Sequence, residues 1–190
     1  QMLRRAFWQP APAEHQGPVR NLFLSLGGGD PHGMMPHLME TARRALPGVS
    51  LRVVTGSGNP SLSEIQKRLW DGDVCHCDLD DRGMVAVMAG CQAGLAAAGQ
   101  TLFEAACLGL PLVTLAVADN QRRNGEAFGA AGVHLHAGFW TDTTWREQVF
   151  QDLCRLNQAG LRQKLGLCGQ RCVDGQGPRR LAQRMLARGG

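Results

Sequence analysis

Hydrophobic residues in this chain fall into short unbroken runs, separated by longer stretches where apolar positions recur every three or four places. The first run is Val19-Arg20-Asn21-Leu22-Phe23-Leu24-Ser25-Leu26. Its shortness and its glycine ending read as a buried strand rather than a helix. Leu51–Thr55, Asp73–Cys77, Leu112–Leu115 and Val133–Leu135 are further predicted strands. Ala93–Ala96 joins them from its context alone, because Ala and Gly are poor strand formers. Helices are expected between the strands: over Met34–Ala45, with Pro36 tolerated in the first turn, and from Ser61 to about Trp70, where Ser61 and Glu64 have capping-box spacing. Others are expected over Asp81–Ala89, over Gln100–Leu108 before Gly109 and Pro111, and over Asn120–Ala130. After Thr144 the chain reads as helices, the last from about Pro178 to Ala187.

Strands that are apolar on both faces and alternate with helices belong to a parallel sheet covered on both sides. The expected fold is therefore a Rossmann-like α/β domain over residues 19–190. Residues 1–18, broken by Trp8, Pro10, Pro12, Gly17 and Pro18, show no period and read as an interdomain linker. Such sheets take ligands beyond the carboxyl ends of their strands, so the loops after Leu26, Thr55, Cys77, Ala97 and Leu115 are the candidates for function.

Composition narrows the classes. A chain of 190 residues, 44% hydrophobic, suits one domain. No apolar run approaches the roughly 18 residues of a membrane span, and Gln1–Arg5 has no signal-peptide core, so a cytoplasmic location is expected. The net charge is +4, with Arg162, Lys164, Arg171, Arg179, Arg180, Arg184 and Arg188 set against Asp174 near the end. That stripe reads as a solvated helix face; tyrosine is absent and no nucleic-acid motif accompanies it, so nucleic acid is not an expected partner. Seven cysteines, irregularly spaced, read as reduced thiols. Cys75 and Cys77 are expected as small hydrophobes on one strand face, with no metal or other cofactor implied.

Three loops can carry chemistry. Gly27-Gly28-Gly29-Asp30 joins a strand to a helix, where glycine lets backbone N–H groups approach an anion. It is neither G-x-G-x-x-G nor a P-loop, and it serves equally as a tight turn. Ala97-Ala98-Gly99-Gln100-Thr101 leaves room at a helix start for a diphosphate; Glu104, about one turn on, is placed either to accept from ribose hydroxyls or merely to complement the helix dipole. Val117-Ala118-Asp119-Asn120-Gln121 offers amides suited to sugar hydroxyls and acetamido groups, with Asp119 or Asn120 also able to cap a helix. His32 and His37 flank the first loop within reach of phosphate. His15, His76, His134 and His136 have no partner in sequence, and no histidine is assigned a catalytic role.

In their order these loops resemble the UDP-sugar hydrolase of the pseudaminic-acid pathway and its spore-coat polysaccharide biosynthesis relatives. The chain is more distantly similar to the GT-B N-acetylglucosaminyltransferase of peptidoglycan synthesis. The matching stretches are Leu24–Pro31, Val53–Gly56 with Asn59-Pro60, Met84 and Met88, Ala98–Glu104, Leu108–Pro111, Ala118–Gln121, and Val173–Gly177 with Arg180. The resemblance implies the C-terminal half of a two-domain GT-B enzyme, with Met2–Phe7 at the interdomain crossing. It implies nucleotide binding by Gly28, Gly29, Gly99, Gln100, Thr101 and Glu104, with Glu104 on the ribose, and sugar binding by Asn120 and Gln121. Ala98 and Gln100 at the phosphate turn, and Gln92 in place of an aspartate, depart from the pattern. The implied reaction is hydrolysis of a UDP-linked diacetamido-trideoxy sugar, its base supplied by a histidine of the N-terminal half. The alternatives are a GT-B glycosyltransferase domain, a non-catalytic nucleotide-binding module, or an α/β domain whose glycines only make turns.

Overall fold

The computed structural model describes residues 3–8 and 16–187; Pro10, Pro12 and His15 lie outside the described residues. The strands are β1 (Asn21–Ser25), β2 (Ser50–Thr55), β3 (Val74–Cys77), β4 (Ala93–Ala97), β5 (Leu112–Ala116) and β6 (Leu135–Phe139). They form one sheet in the order β3-β2-β1-β4-β5-β6, parallel throughout. Helices α1 (Met35–Ala45), α2 (Leu62–Lys67), α3 (Asp81–Ala89), α4 (Gln100–Leu108) and α5 (Asp119–Ala130) connect them; α6 (Trp145–Leu156), α7 (Ala159–Cys172) and α8 (Gly177–Leu186) follow. The expected Rossmann-like architecture is the one observed.

The unbroken apolar runs are explained by burial on both faces. Leu22, Leu24, Leu51, Val53, Leu95, Val113 and Leu115 belong to a core cluster shared with Leu38 and Met39 of α1 and with Val149 and Leu153 of α6. Phe23, Val54, Ala96 and Leu112 face the other way, onto Met88 of α3 and Ala105 and Leu108 of α4. Gly94 lies where a side chain has no room: a Cβ there would sit 2.5 Å from Leu112 Cδ2. The weak strand propensity of Ala93–Ala97 is therefore outweighed by its central position, where all five residues are buried.

Several local expectations are corrected. The sixth strand begins at Leu135, not Val133, because the His134 ring turns into the core: its Nε2 lies 3.0 Å from Leu102 O, and its Nδ1 accepts from Leu112 N. The helix from Ser61 stops at Lys67, and Ser61 makes no side-chain cap; instead its N–H donates to Asn59 Oδ1. Asp73 precedes the third strand and ties its surroundings together, accepting from Leu51 N and Trp70 N. Cys77 is exposed and Cys75 only half-buried, since β3 is an edge strand. Arg162, expected on a solvated face, is fully buried; its guanidinium donates to the carbonyls of Leu156 and Gly17.

Within the segment read as a linker, Arg5–Trp8 form a 3-10 turn, and Leu3 and Phe7 enter the α3/α4 core cluster. Among the described residues no helix is long and apolar enough to cross a membrane, and no group of three or more His, Cys, Asp or Glu could hold a metal ion.

Candidate functional site

Strand order reverses between β1 and β4, the topological switch point at which open α/β sheets hold ligands. Ser25 pairs in register with Ala96, so the loop after β1 and the turn after β4 leave the sheet side by side. The crevice that such a switch point implies is bordered here by residues singled out in the sequence.

The two helix starts at this point differ. Asp30 is 2% exposed, and its carboxylate accepts from Met34 N at 2.9 Å and Met35 N at 2.8 Å, so the first N–H groups of α1 are already satisfied by a charge of the chain itself. Helix α4 has no such cap. Gly99 stands at its N-cap and makes no side-chain hydrogen bond there; a helix N-terminus of this kind favours negative charge. Gln100 and Thr101 form its first turn. Of the two, only α1 has its first N–H groups held by a carboxylate of the chain.

The neighbouring loops are fastened around this opening. Gly56 N donates to Gly28 O at 3.0 Å, and a Cβ at residue 56 would lie 2.5 Å from that oxygen, so only glycine permits this approach. Gly28 and Gly29 are exposed, and a Cβ added at either would meet open space. Gln121 uses its amide oxygen to accept from Val117 N at 3.0 Å, and its Nε2 lies 3.5 Å from where a Gly99 Cβ would be. Its amide therefore borders the α4 opening. Asn120 is exposed in the first turn of α5, and neither it nor Asp119 caps that helix, whose N-cap is Ala118.

Glu104 is placed differently from an open ribose contact. Its side chain is 3% exposed, and Oε1 accepts from Arg4 Nε at 2.9 Å. Arg4 also donates through Nη1 to Asp81 Oδ1 at 3.0 Å, joining the start of α3 to the middle of α4. Burial pushes the Arg4 guanidinium down, but its two carboxylate partners outweigh this and leave its pKa raised. Nothing in the residue pattern of the leading segment pointed to this contact.

His32 extends the β1 loop across β4. Its Nε2 lies 3.2 Å from Val117 O, and its ring stacks on Trp140 with centroids 3.6 Å apart. Arg122 lies over Phe139 at 3.5 Å. Trp140 and Phe139 went unnoticed in the sequence because the last strand was placed too early. The rule that picked out the other loops would have picked out the one after β6. His37 packs edge-on to Trp145, and partial burial together with the nearby Arg146 lowers its pKa.

The fold is the Rossmann-like α/β arrangement seen in the C-terminal domain of GT-B structures. No family model matches the chain. Its sequence is similar to the spore coat polysaccharide biosynthesis protein SpsG of Bacillus subtilis, 24% identical over 160 residues, which is 83% of this chain and 47% of that protein. The chain thus spans about half the length of this curated relative. Among solved structures, MurG of Acinetobacter baumannii superposes with a TM-score of 0.69 at 15% identity, covering 95% of this chain and 55% of that one. UDP-GlcNAc 2-epimerase of Neisseria meningitidis, bound to UDP-GlcNAc, gives 0.65 at 16% identity over 90% of this chain and 45% of that one.

Proposed function

We propose that this domain grips the UDP of a UDP-linked sugar, and that the two-domain parent resembles the pseudaminic-acid pathway hydrolase in releasing UDP from a diacetamido-trideoxy sugar. The observation that carries the reading is the position of the α4 start, with glycine at its N-cap, at the β1/β4 switch point, beside a neighbouring helix whose own start is filled by Asp30. The diphosphate sits on the N–H groups at Gly99, Gln100 and Thr101, with Gly28 and Gly29 on the opposite wall. Glu104, buried and paired with Arg4, reaches the ribose only if that pair yields on binding, and Asn120 and Gln121 meet the sugar.

In the reaction, water attacks the anomeric carbon as the bond to the diphosphate oxygen breaks, with inversion at that carbon. The α4 dipole stabilises the charge that develops on the leaving group, and uridine binding holds the reacting bond in place. The base that takes the water proton belongs to the N-terminal half. This chain alone binds UDP weakly and turns nothing over. Calorimetric titration with UDP, against ADP and CMP as controls, tests the grip: saturable heat for UDP alone, lost in Glu104→Ala, supports it, and no heat for any of the three contradicts it. A GT-B glycosyltransferase is the second reading, supported by the distant resemblance to the peptidoglycan enzyme. UDP release by the two-domain protein without an acceptor separates the two.

A further inference from the structure

A cavity of about 560 Å3 lies away from the crevice, between α1 and the α2–β3 connection. Pro36, Trp70 and Glu40 line it together with four cations, Arg43, Arg44, Lys67 and Arg68. Arg43 and Arg44 stand in the last turn of α1, and Lys67 in the last turn of α2. Crossover helices run back from the carboxyl to the amino ends of parallel strands. The cations are therefore gathered at the end of the sheet opposite the crevice.

Two of these charges are matched and two are not. Arg43 Nη2 donates to Asp73 Oδ2 and to Arg68 O, and Arg68 pairs with Glu64 at 2.8 Å. Arg44 and Lys67 have no carboxylate partner among the described residues. Arg43 is the built part of the site: its side chain is only 10% exposed, its guanidinium lies 4.2 Å over the Trp70 ring, and its buried Nε is a donor with no acceptor among the described residues. With that face covered, Trp70 still stands 65% exposed.

We propose that this groove docks the protein on an anionic lipid surface, with a headgroup phosphodiester held by Arg44 and Lys67 and the Trp70 indole, backed by Arg43, at headgroup level. A soluble anion would use the cations and leave the indole in water. A bilayer interface takes both, since indoles partition to the headgroup region and basic side chains are drawn to anionic lipid. Docking at this end leaves the crevice facing away from the lipid and open to a soluble ligand.

Co-sedimentation with vesicles of phosphatidylcholine alone, and of phosphatidylcholine with phosphatidylglycerol, tests the proposal. Binding is expected only to the second, weakening as salt rises. Lys67→Ala and Arg44→Ala should each lower the partition coefficient roughly fivefold. Trp70→Ala should abolish the blue shift in fluorescence that vesicles produce in the parent. Lys67 is exposed, so its variant keeps the test valid if loss of the Trp70–Arg43 contact impairs folding. No binding to phosphatidylglycerol vesicles, equal binding to both kinds, or binding undiminished in Lys67→Ala would overturn the proposal. So would saturable binding of soluble glycerol phosphate without vesicle binding.

Discussion

Replacing Arg4 by alanine strips the cation from a carboxylate that water barely reaches. The Glu104 side chain is 3% exposed, whereas Arg4 is 34% exposed and also holds Asp81 at 3.0 Å. Breaking a wholly buried pair costs about 3–5 kcal/mol, and an exposed pair contributes about 0–1 kcal/mol. With one partner buried and the other a third open, the loss should fall between these, at about 2 kcal/mol. For a domain of this size that corresponds to a fall in Tm of about 4–8 °C. Urea unfolding at neutral pH should show a lower midpoint with an unchanged slope. Asp81→Ala removes only the open limb and should cost at most about 1 kcal/mol. Glu104→Gln combined with Arg4→Ala should cost less than the two single changes added together, by about 1 kcal/mol. If Arg4→Ala stays within about 0.5 kcal/mol of the parent, the pair is not holding the leading segment onto α4.

The remaining predictions concern single groups. Asp30→Ala frees two N–H groups at the start of α1 and should destabilise by about 1–2 kcal/mol in thermal melts. Gly99→Ala adds a Cβ at an ordinary 3.5 Å from Gln121; the melting curve should hardly move, while calorimetry shows UDP affinity reduced tenfold or more, about 1.4 kcal/mol. Gly56→Ala forces a Cβ to 2.5 Å from Gly28 O, so stability and UDP affinity should fall together, by about 1–3 kcal/mol in stability. His134 is wholly buried, and burial pushes its imidazole down to about 4. The unfolded chain therefore takes up a proton below about 6.5 that the folded protein refuses until about 4. Stability should be full above pH 6.5 and fall by roughly 1.4 kcal/mol per unit on acidification to pH 4. Urea midpoints measured across that range would show a missing slope if the ring were accessible.

How much of this was legible depended on whether the signal was local. The strands were readable because burial on both faces leaves a run such as Leu22-Phe23-Leu24 with no polar interruption. The glycine turns at Gly28 and Gly99 were readable because alternating strands and helices in a parallel sheet fix which strand ends meet at the switch point. What escaped depends on contacts between distant positions. Arg4 meets Glu104 a hundred residues away, and Arg162 reaches the carbonyl of Gly17 across an even longer separation. No periodicity encodes either pairing. The sixth strand was misplaced because Val133-His134-Leu135 reads as apolar alternation, while His134 is held by Leu102 O and Leu112 N, outside any strand ladder. That one shift hid Trp140, and with it the stacking partner of His32.

The central claim is that UDP sits on the start of α4 at the switch point. Amide chemical-shift mapping of the isotopically labelled chain during UDP titration tests it most directly. The account predicts saturable shifts at Gly28, Gly29, Gly99, Gln100 and Thr101, with the amides of Met34 and Met35 nearly unmoved because Asp30 already holds them. Shifts confined to other parts of the surface, or larger at Met34 and Met35 than at Gln100 and Thr101, would contradict it.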